Sequence, residues 1–268
     1  MQTIVEAERD GDLTTFDAVA KALEPYLTAA RHGTVEGLRD SWHEQARIVG
    51  WVDGQFAALD RDAFVGWVAK NGPSPDISHR IVSIDVLGGA AAVRVEFSDW
   101  LGFRFTDFFL LRRTGSRWEL VSKVYDSHAR TGRPVPEAAP CNQDEGFAET
   151  AAIRAVIGEY VDGARTGDRA WLRAIWFDHA RITGWLAGEL VDLDPDAFCR
   201  TVAEAGGAPD VEAQIVSIDR SGVAASARIE LRDWNGVRFT DFMTLLKGPD
   251  GWRVSGKVFD AHDAHADP

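Results

Sequence analysis

The sequence predicts an α+β protein made of two copies of one domain, each a set of helices on a curved antiparallel sheet. Three observations predict it. First, the chain repeats itself: shifted by 134 positions it aligns without a gap from Tyr26/Tyr160 to His128/His262. Roughly 45% of those positions are identical, far above chance. Arg104-Phe105-Thr106-Asp107-Phe108 returns as Arg238-Phe239-Thr240-Asp241-Phe242, and 81–85 returns as 215–219. Second, each copy runs helices first and strands afterwards, the order of an α+β domain. Third, turn signals punctuate the strands: Asp53-Gly54, Thr114-Gly115-Ser116 and Asn235-Gly236.

The elements follow in order. Residues 1–15 carry no apolar period and read as a tail. Residues 16–31 read as a helix, with Val19, Leu23, Tyr26, Leu27 and Ala30 at helical spacing and Gly33 ending it. Residues 34–43 read as a second helix, with Leu38 and Trp42 on its buried face. Strands are expected at 47–52 and 55–59 around the Asp-Gly turn. Asp60 is placed to cap a helix over 61–70, which Asn71-Gly72-Pro73 ends. Four strands follow, at 78–86, 90–100, 103–113 and 118–126. The first repeat therefore spans 16–128. A Pro-bearing linker covers 129–146, the second repeat 147–262, and a tail 263–268.

At 268 residues the chain suits two domains of about 130 residues, each able to bury its own core. Forty-two acids against 29 bases give a net charge of −13, which argues against nucleic acid as a partner. No apolar run approaches the roughly 20 residues of a membrane span. The N-terminal stretch is acidic without an apolar signal core, so a cytoplasmic location is expected. Cys141 and Cys199 sit at non-equivalent positions and suggest neither a disulfide framework nor a metal site. No phosphate loop, dinucleotide fingerprint or nucleophile elbow is present, and no cofactor or metal is expected.

Strand register follows from the turns. Pairing outward from them sets Glu96 opposite Asp107, and Asp107 opposite Lys123. The second copy gives Glu230, Asp241 and Lys257. Two carboxylates beside an ammonium are able to split their pKa values and serve acid–base chemistry. They equally suit cross-strand stabilisation of a sheet. Val93, Val95, Phe97, Phe108, Leu110, Leu120 and Val124 then form the core face, which leaves the charged row on the outer face where the repeats dock.

The segment Phe105-Thr106-Asp107-Phe108 … Trp118-Glu119-Leu120-Val121-Ser122-Lys123-Val124-Tyr125, its partner 239–259 and the stretch Trp42-His43-Glu44-Gln45-Ala46-Arg47-Ile48 carry a family likeness. The chain resembles the nuclear-transport-factor-2-like superfamily, in its lumazine-binding and SnoaL-like polyketide cyclase branch. The resemblance covers both repeats. It implies cone-shaped domains that pair through their sheets, so that the tandem forms an intrachain pseudo-dimer, with a pocket between helices and sheet. It implies a small-molecule function without fixing one, since the superfamily includes isomerases, dehydratases, cyclases, epoxide hydrolases and proteins that only bind.

Differences between the copies mark where a specialised site would lie. The first repeat has His43, Asp53, Trp67 and His79 where the second has Phe177, Ala187, Thr201 and Ala213. The second offers His179, Glu189 and Cys199 where the first has Gln45, Gln55 and Val65. His43 with Asp53 is a proton-shuttle pair if the turn brings Asp53 inward. Otherwise they are a histidine at a helix end and an aspartate in a turn. His179 with Glu189 is the equivalent guess. Tyr26 and Tyr160 are donors into a cavity or core tyrosines. Trp42, Trp51, Trp67 and Trp185 are candidates for stacking on a ligand or for filling the core. The leading expectation is a cofactor-independent acid–base enzyme for a small apolar or aromatic molecule. A binding module for an aromatic or pteridine-like ligand, or a scaffold, are the alternatives.

Overall fold

The computed structural model describes residues 13–52, 54–128 and 143–262. Each repeat closes helices over one face of a six-stranded sheet. In the first repeat the elements are α1 (Leu13–Ala22), α2 (Glu24–His32), α3 (Leu38–Ser41), β1 (Trp42–Val52), β2 (Gln55–Asp60), α4 (Arg61–Asn71), β3 (Ser78–Leu87), β4 (Ala90–Trp100), β5 (Phe103–Thr114) and β6 (Arg117–Ser127). The second has α5 (Gln143–Thr166), α6 (Arg169–Ala174), β7 (Ile182–Leu186), β8 (Glu189–Leu193), α7 (Pro195–Glu204), β9 (Glu212–Ser221), β10 (Ala224–Trp234), β11 (Val237–Gly248) and β12 (Gly251–His262). No helix among the described residues is long and apolar enough to cross a membrane.

Local chemistry explains several boundaries. The helix expected over 16–31 is two helices, because Pro25 in the first turn of α2 has no N–H to continue α1. Its counterpart is Glu159, and α5 accordingly runs unbroken for 24 residues. Asp60 and Asp194 cap α4 and α7 by accepting from the backbone N–H of Ala63 and Ala197 at 2.8 and 2.7 Å. The expected helix 34–43 shrinks to one turn. Gly37, at φ 71°, precedes α3, and Trp42 already pairs with Leu120 as the start of β1.

The sheets are ordered β2-β1-β6-β5-β4-β3 and β8-β7-β12-β11-β10-β9. They are mixed rather than wholly antiparallel, because β1 runs parallel to β6 and β7 parallel to β12. The long excursion through β2, α4 and the three hairpin strands permits that crossover. Gly50 and Gly184 make the approach possible: a Cβ on either would stand 2.4 or 2.1 Å from the carbonyl oxygen of Tyr125 or Phe259.

Each concave face buries its own apolar core against the helices. The convex faces meet each other. Ala90, Ala92, Leu110, Val121, Phe242 and Val258 pack there, as do Val49, Phe108, Val124, Ala224 and Leu246. The seam has an approximate two-fold. Trp51 donates its indole N–H to the Lys247 carbonyl (3.1 Å) and Trp185 donates to that of Arg113 (2.8 Å). Arg94 pairs with Asp219 and Arg228 with Asp85, at 2.7 and 2.8 Å. The repeats thus form a pseudo-dimer within one chain.

Candidate functional site: an aromatic cavity ending on a buried lysine

The register around Asp107 differs from the expected one, and the difference creates the site. The turn at Leu101-Gly102 is the expected two-residue turn. Asp99, at φ 59°, adds a bulge residue before it. Glu96 therefore lies opposite Thr106, and Val95 opposite Asp107. One residue of slip turns a side chain to the other face. On the other side, the turn is one residue tighter than expected, with Thr114 opposite Arg117, and an irregularity between Leu110 and Leu111 adds one more, which sets Asp107 opposite Tyr125 and Lys123 opposite Phe109. That shift of two keeps Asp107 and Lys123 on one face as diagonal neighbours.

The expected row of Glu96, Asp107 and Lys123 is therefore broken. Glu96 stays on the outer face, holding Arg94 at 2.6 Å and accepting from the Thr106 hydroxyl. Asp107 and Lys123 point inward. The core face is correspondingly Val93, Val95, Phe97, Phe109, Leu111, Leu120 and Tyr125, whereas Phe108, Leu110 and Val124 belong to the seam.

Inside the cone, Tyr26 from α2 completes a triad. Its hydroxyl donates to Asp107 Oδ2 at 2.7 Å; Lys123 Nζ reaches the same oxygen at 2.8 Å and the Tyr26 hydroxyl at 2.6 Å. All three residues are buried, and Asp107 Oδ1 has no hydrogen-bond partner among the described residues. Aromatic rings surround the ammonium, with Tyr125 at 4.8 Å, Tyr26 at 4.9 Å and Trp100 at 5.2 Å from centroid to Nζ.

Burial dominates the titration. It pushes the Lys123 amine below its ordinary value, against the attraction of Asp107. It pushes the Asp107 carboxyl up, against the pull of Lys123 and the Tyr26 hydrogen bond. The Tyr26 hydroxyl is held well above its usual range by burial and the neighbouring carboxylate, so it remains a donor. Both members of the ion pair are driven toward their neutral forms.

Lys123 is also the charged group at the wall of a cavity of about 430 Å³. The other walls come from β1 and β2 (Ile48, Val52, Ala57, Leu59), from α4 (Phe64, Trp67) and from the β4–β5 hairpin with its neighbours (Trp100, Leu101, Phe103, Phe105, Tyr125). Trp67 stacks near-parallel on Phe64 and meets Trp100 edge-on, with centroids 6.3 and 6.0 Å apart. Phe56, Trp67 and Leu101 are partly exposed at the rim.

The second repeat carries the same triad. Tyr160 donates to Asp241 Oδ2 at 2.8 Å, and Lys257 lies 2.8 Å from the Tyr160 hydroxyl and 3.0 Å from Asp241. Its walls differ: Thr201 replaces Trp67, and Asn235 and Val237 replace Leu101 and Phe103, while Met243 stands in place of Phe109, one of the rings around the lysine.

The remaining candidates fall elsewhere. His43 leaves the cavity and faces the seam, with Nε2 3.5 Å from Asp192. Burial first, then Arg112, lowers its pKa. Asp53 lies outside the described residues. His179 bonds the Ser255 hydroxyl at 2.9 Å and stacks on Phe177, while Glu189 is exposed on β8. Trp42 is core beneath the triad, edge-on to Tyr26. Trp51 and Trp185 belong to the seam, and of the four tryptophans only Trp67 lines the cavity. A polar groove of about 860 Å³ on the outer face of β9–β11 includes Arg228, Glu230, Arg232 and His262; its arginines are held in ion pairs with Asp85, Glu230 and Glu212 or lie exposed.

An α+β cone with an apolar cavity and a few convergent polar groups is the architecture of small-molecule binding proteins and enzymes. The chain belongs to the family described as "Putative lumazine-binding", whose model matches residues 14–126 and again 148–260. The fold is NTF2-like, present twice. An NTF2-like protein of unknown function from Methylobacillus flagellatus KT is 34% identical; the match covers 44% of this chain and 95% of that one, at a TM-score of 0.42. A second, from Silicibacter pomeroyi DSS-3, is also 34% identical, covering 44% and 98%, at 0.42. Each such match spans one repeat's worth of chain. Among curated proteins, the aldolase FrzH of Cladobotryum sp. is 23% identical over 116 residues, which are 43% of this chain and 93% of that protein.

Proposed function

We propose that the first repeat is the working half of a cofactor-independent enzyme for a mostly apolar, ring-bearing small molecule. The observation that carries this reading is the single charged group on the cavity wall, a lysine backed by a carboxyl and a phenol. The aromatic walls would hold the ring and exclude water. With its proton passed to Asp107, the Lys123 amine is a base able to remove a proton beside a substrate carbonyl. With its proton kept, the ammonium stabilises the oxyanion that forms. Tyr26 holds Asp107 Oδ2 in place and remains protonated throughout. Such a site serves isomerisation, cyclisation, dehydration or carbon–carbon bond chemistry through an enolate, and the Cladobotryum aldolase supports the last of these.

The second reading is a binding module without chemistry. It is favoured by the recurrence of the triad in the second repeat, where the same contacts hold the sheet to the helix. The family's description is compatible with a ring-shaped ligand such as a pteridine. The two readings separate by incubating the chain with a panel of ring compounds, lumazine and naphthols among them. Quenching of tryptophan fluorescence reports binding, and mass spectrometry of the recovered ligand reports change. Conversion that disappears in Lys123→Met/Asp107→Asn supports the enzyme. Tight binding with every ligand recovered unchanged supports the module.

A further inference from the structure

We propose that Lys123 is a covalent residue, forming an imine with an aldehyde or ketone carbonyl of the substrate at the closed end of the cavity. The inference rests on the cavity being the substrate site, as proposed above, and adds the chemical class of the substrate and the bond it makes.

Three features of the geometry point there. Lys123 brings the one amine to the cavity lining, where the other polar side chains are the Gln55 amide and the Tyr125 phenol and the rest are apolar chains and rings. Its proton has a place to go: Asp107 Oδ2 lies 2.8 Å away, on a carboxyl whose second oxygen is buried with no hydrogen-bond partner among the described residues. The five surrounding rings would replace water around the attacking nitrogen. Burial favours the neutral amine and the neutral carboxylic acid together, and reaching that state needs only transfer of one proton within the pair. A desolvated lysine in an apolar pocket is a competent nucleophile at neutral pH.

The step balances without a co-reactant. The Lys123 nitrogen pair attacks the carbonyl carbon, a C–N bond forms, and the π pair moves to oxygen, which takes up the proton that Asp107 received from the ammonium. The nitrogen then returns a proton to Asp107, and the hydroxyl leaves with it as water. The result is one imine and one water from one amine and one carbonyl. The imine nitrogen can carry the charge of a carbanion at the next carbon, which would serve carbon–carbon bond making or breaking.

The chain is convenient for the test because it has only five lysines: Lys21, Lys70, Lys123, Lys247 and Lys257. Lys257 is an internal control, with the same triad and a similar ring cage in the second repeat. The full chain is incubated at neutral pH with 2-naphthaldehyde and sodium cyanoborohydride, which fixes any imine as a secondary amine. Peptide mapping then reads the adduct at each lysine. The expected result is at least about tenfold more adduct on Lys123 than on the exposed amines of Lys21 and Lys70, and than on Lys257, which is desolvated in the same direction but stands behind different walls. Ala57→Trp, which fills the cavity and leaves Lys123 in place, is expected to abolish that excess. Quenching of tryptophan fluorescence by 2-naphthaldehyde with no excess on Lys123 overturns the imine and leaves the cavity as a binding site. An excess that survives Ala57→Trp overturns the route through the cavity. Neither adduct nor quenching, with 2-naphthaldehyde or smaller benzaldehydes, overturns both this inference and the function on which it rests.

Discussion

The two repeats hold the same three polar residues in the same contacts but surround them differently. In the first, Lys123 ends a cavity walled by Trp67, Trp100, Phe103 and Tyr125. In the second, Lys257 keeps its partners, while Thr201, Asn235 and Val237 stand at positions of the first repeat's walls. The comparison separates two roles for one motif. A buried Tyr–Asp–Lys cluster ties α2 to β5 and β6 in one repeat and α5 to β11 and β12 in the other, and that role needs no ligand. Access and shape, supplied by the variable walls, would turn the cluster into a reactive site. The seam shows a similar asymmetry. Arg112, buried at 3% exposure, meets Thr183, Asp192 and Glu119 near His43, whereas its counterpart Leu246 packs with Phe177 and Val49. The two halves of the seam are thus not interchangeable, which favours pairing within the chain over pairing of like repeats.

Several perturbations would break or sharpen this comparison. The largest effect is expected from removing one carboxylate while leaving its lysine buried. Asp107→Ala and Asp241→Ala should each cost about 3–5 kcal/mol in urea unfolding, since an uncompensated ammonium remains in the core. A large difference between the two would mean that the triads are not structurally equivalent. Neutralising both partners should be far milder. Lys123→Met/Asp107→Asn and Lys257→Met/Asp241→Asn should leave stability within about 2 kcal/mol of the parent. Only the first should abolish turnover.

Acid titration probes a residue that only the second repeat has. Burial lowers the His179 pKa to about 4, from an ordinary value near 6.5. Above pH 6.5 the ring is neutral in folded and unfolded chain alike, so its contribution is complete. Between pH 6.5 and about 4 the unfolded chain takes up a proton that the folded chain refuses, and stability falls as pH falls. The loss should be about 3 kcal/mol by the time pH 4 is reached. His179→Gln, which installs the residue found at Gln45, should flatten that part of the stability–pH curve; an unchanged slope would assign it to other groups. Trp67→Ala should be the mildest of these changes. Losing one stacking ring at the rim should weaken ligand binding roughly tenfold, read by fluorescence titration, while Thr201→Ala changes nothing.

Much of the fold was legible in the sequence, and much of the site was not, for physical reasons. Periodicity and turn signals located α4 with its Asp60 cap and the four long strands to within about two residues. The repeat located the two copies, and the family likeness implied their pairing as a pseudo-dimer. Register failed because it accumulates errors: one left-handed residue, Asp99, moved Glu96 to the opposite face from Asp107. The clue was present, since Asp-Trp before the turn recurs as Asp233-Trp234, with Asp233 also at φ 59°. Differences between the copies point away from the polar residues of the cavity. His43 differs because the seam differs. The polar end of the cavity is made of residues kept in both copies, Tyr26 among them, and Trp67 was the difference that did mark the cavity. The parallel pairing of β1 with β6 was not readable from turns at all, because no hairpin connects them.

The central claim is that one repeat binds and the other supports. Calorimetric titration of the full chain with 2-naphthaldehyde, alongside Trp67→Ala and Thr201→Ala, tests it most directly. The account predicts one ligand per chain, weakened by Trp67→Ala and indifferent to Thr201→Ala. Two equivalent ligands per chain, or a single one that ignores Trp67→Ala, would contradict it.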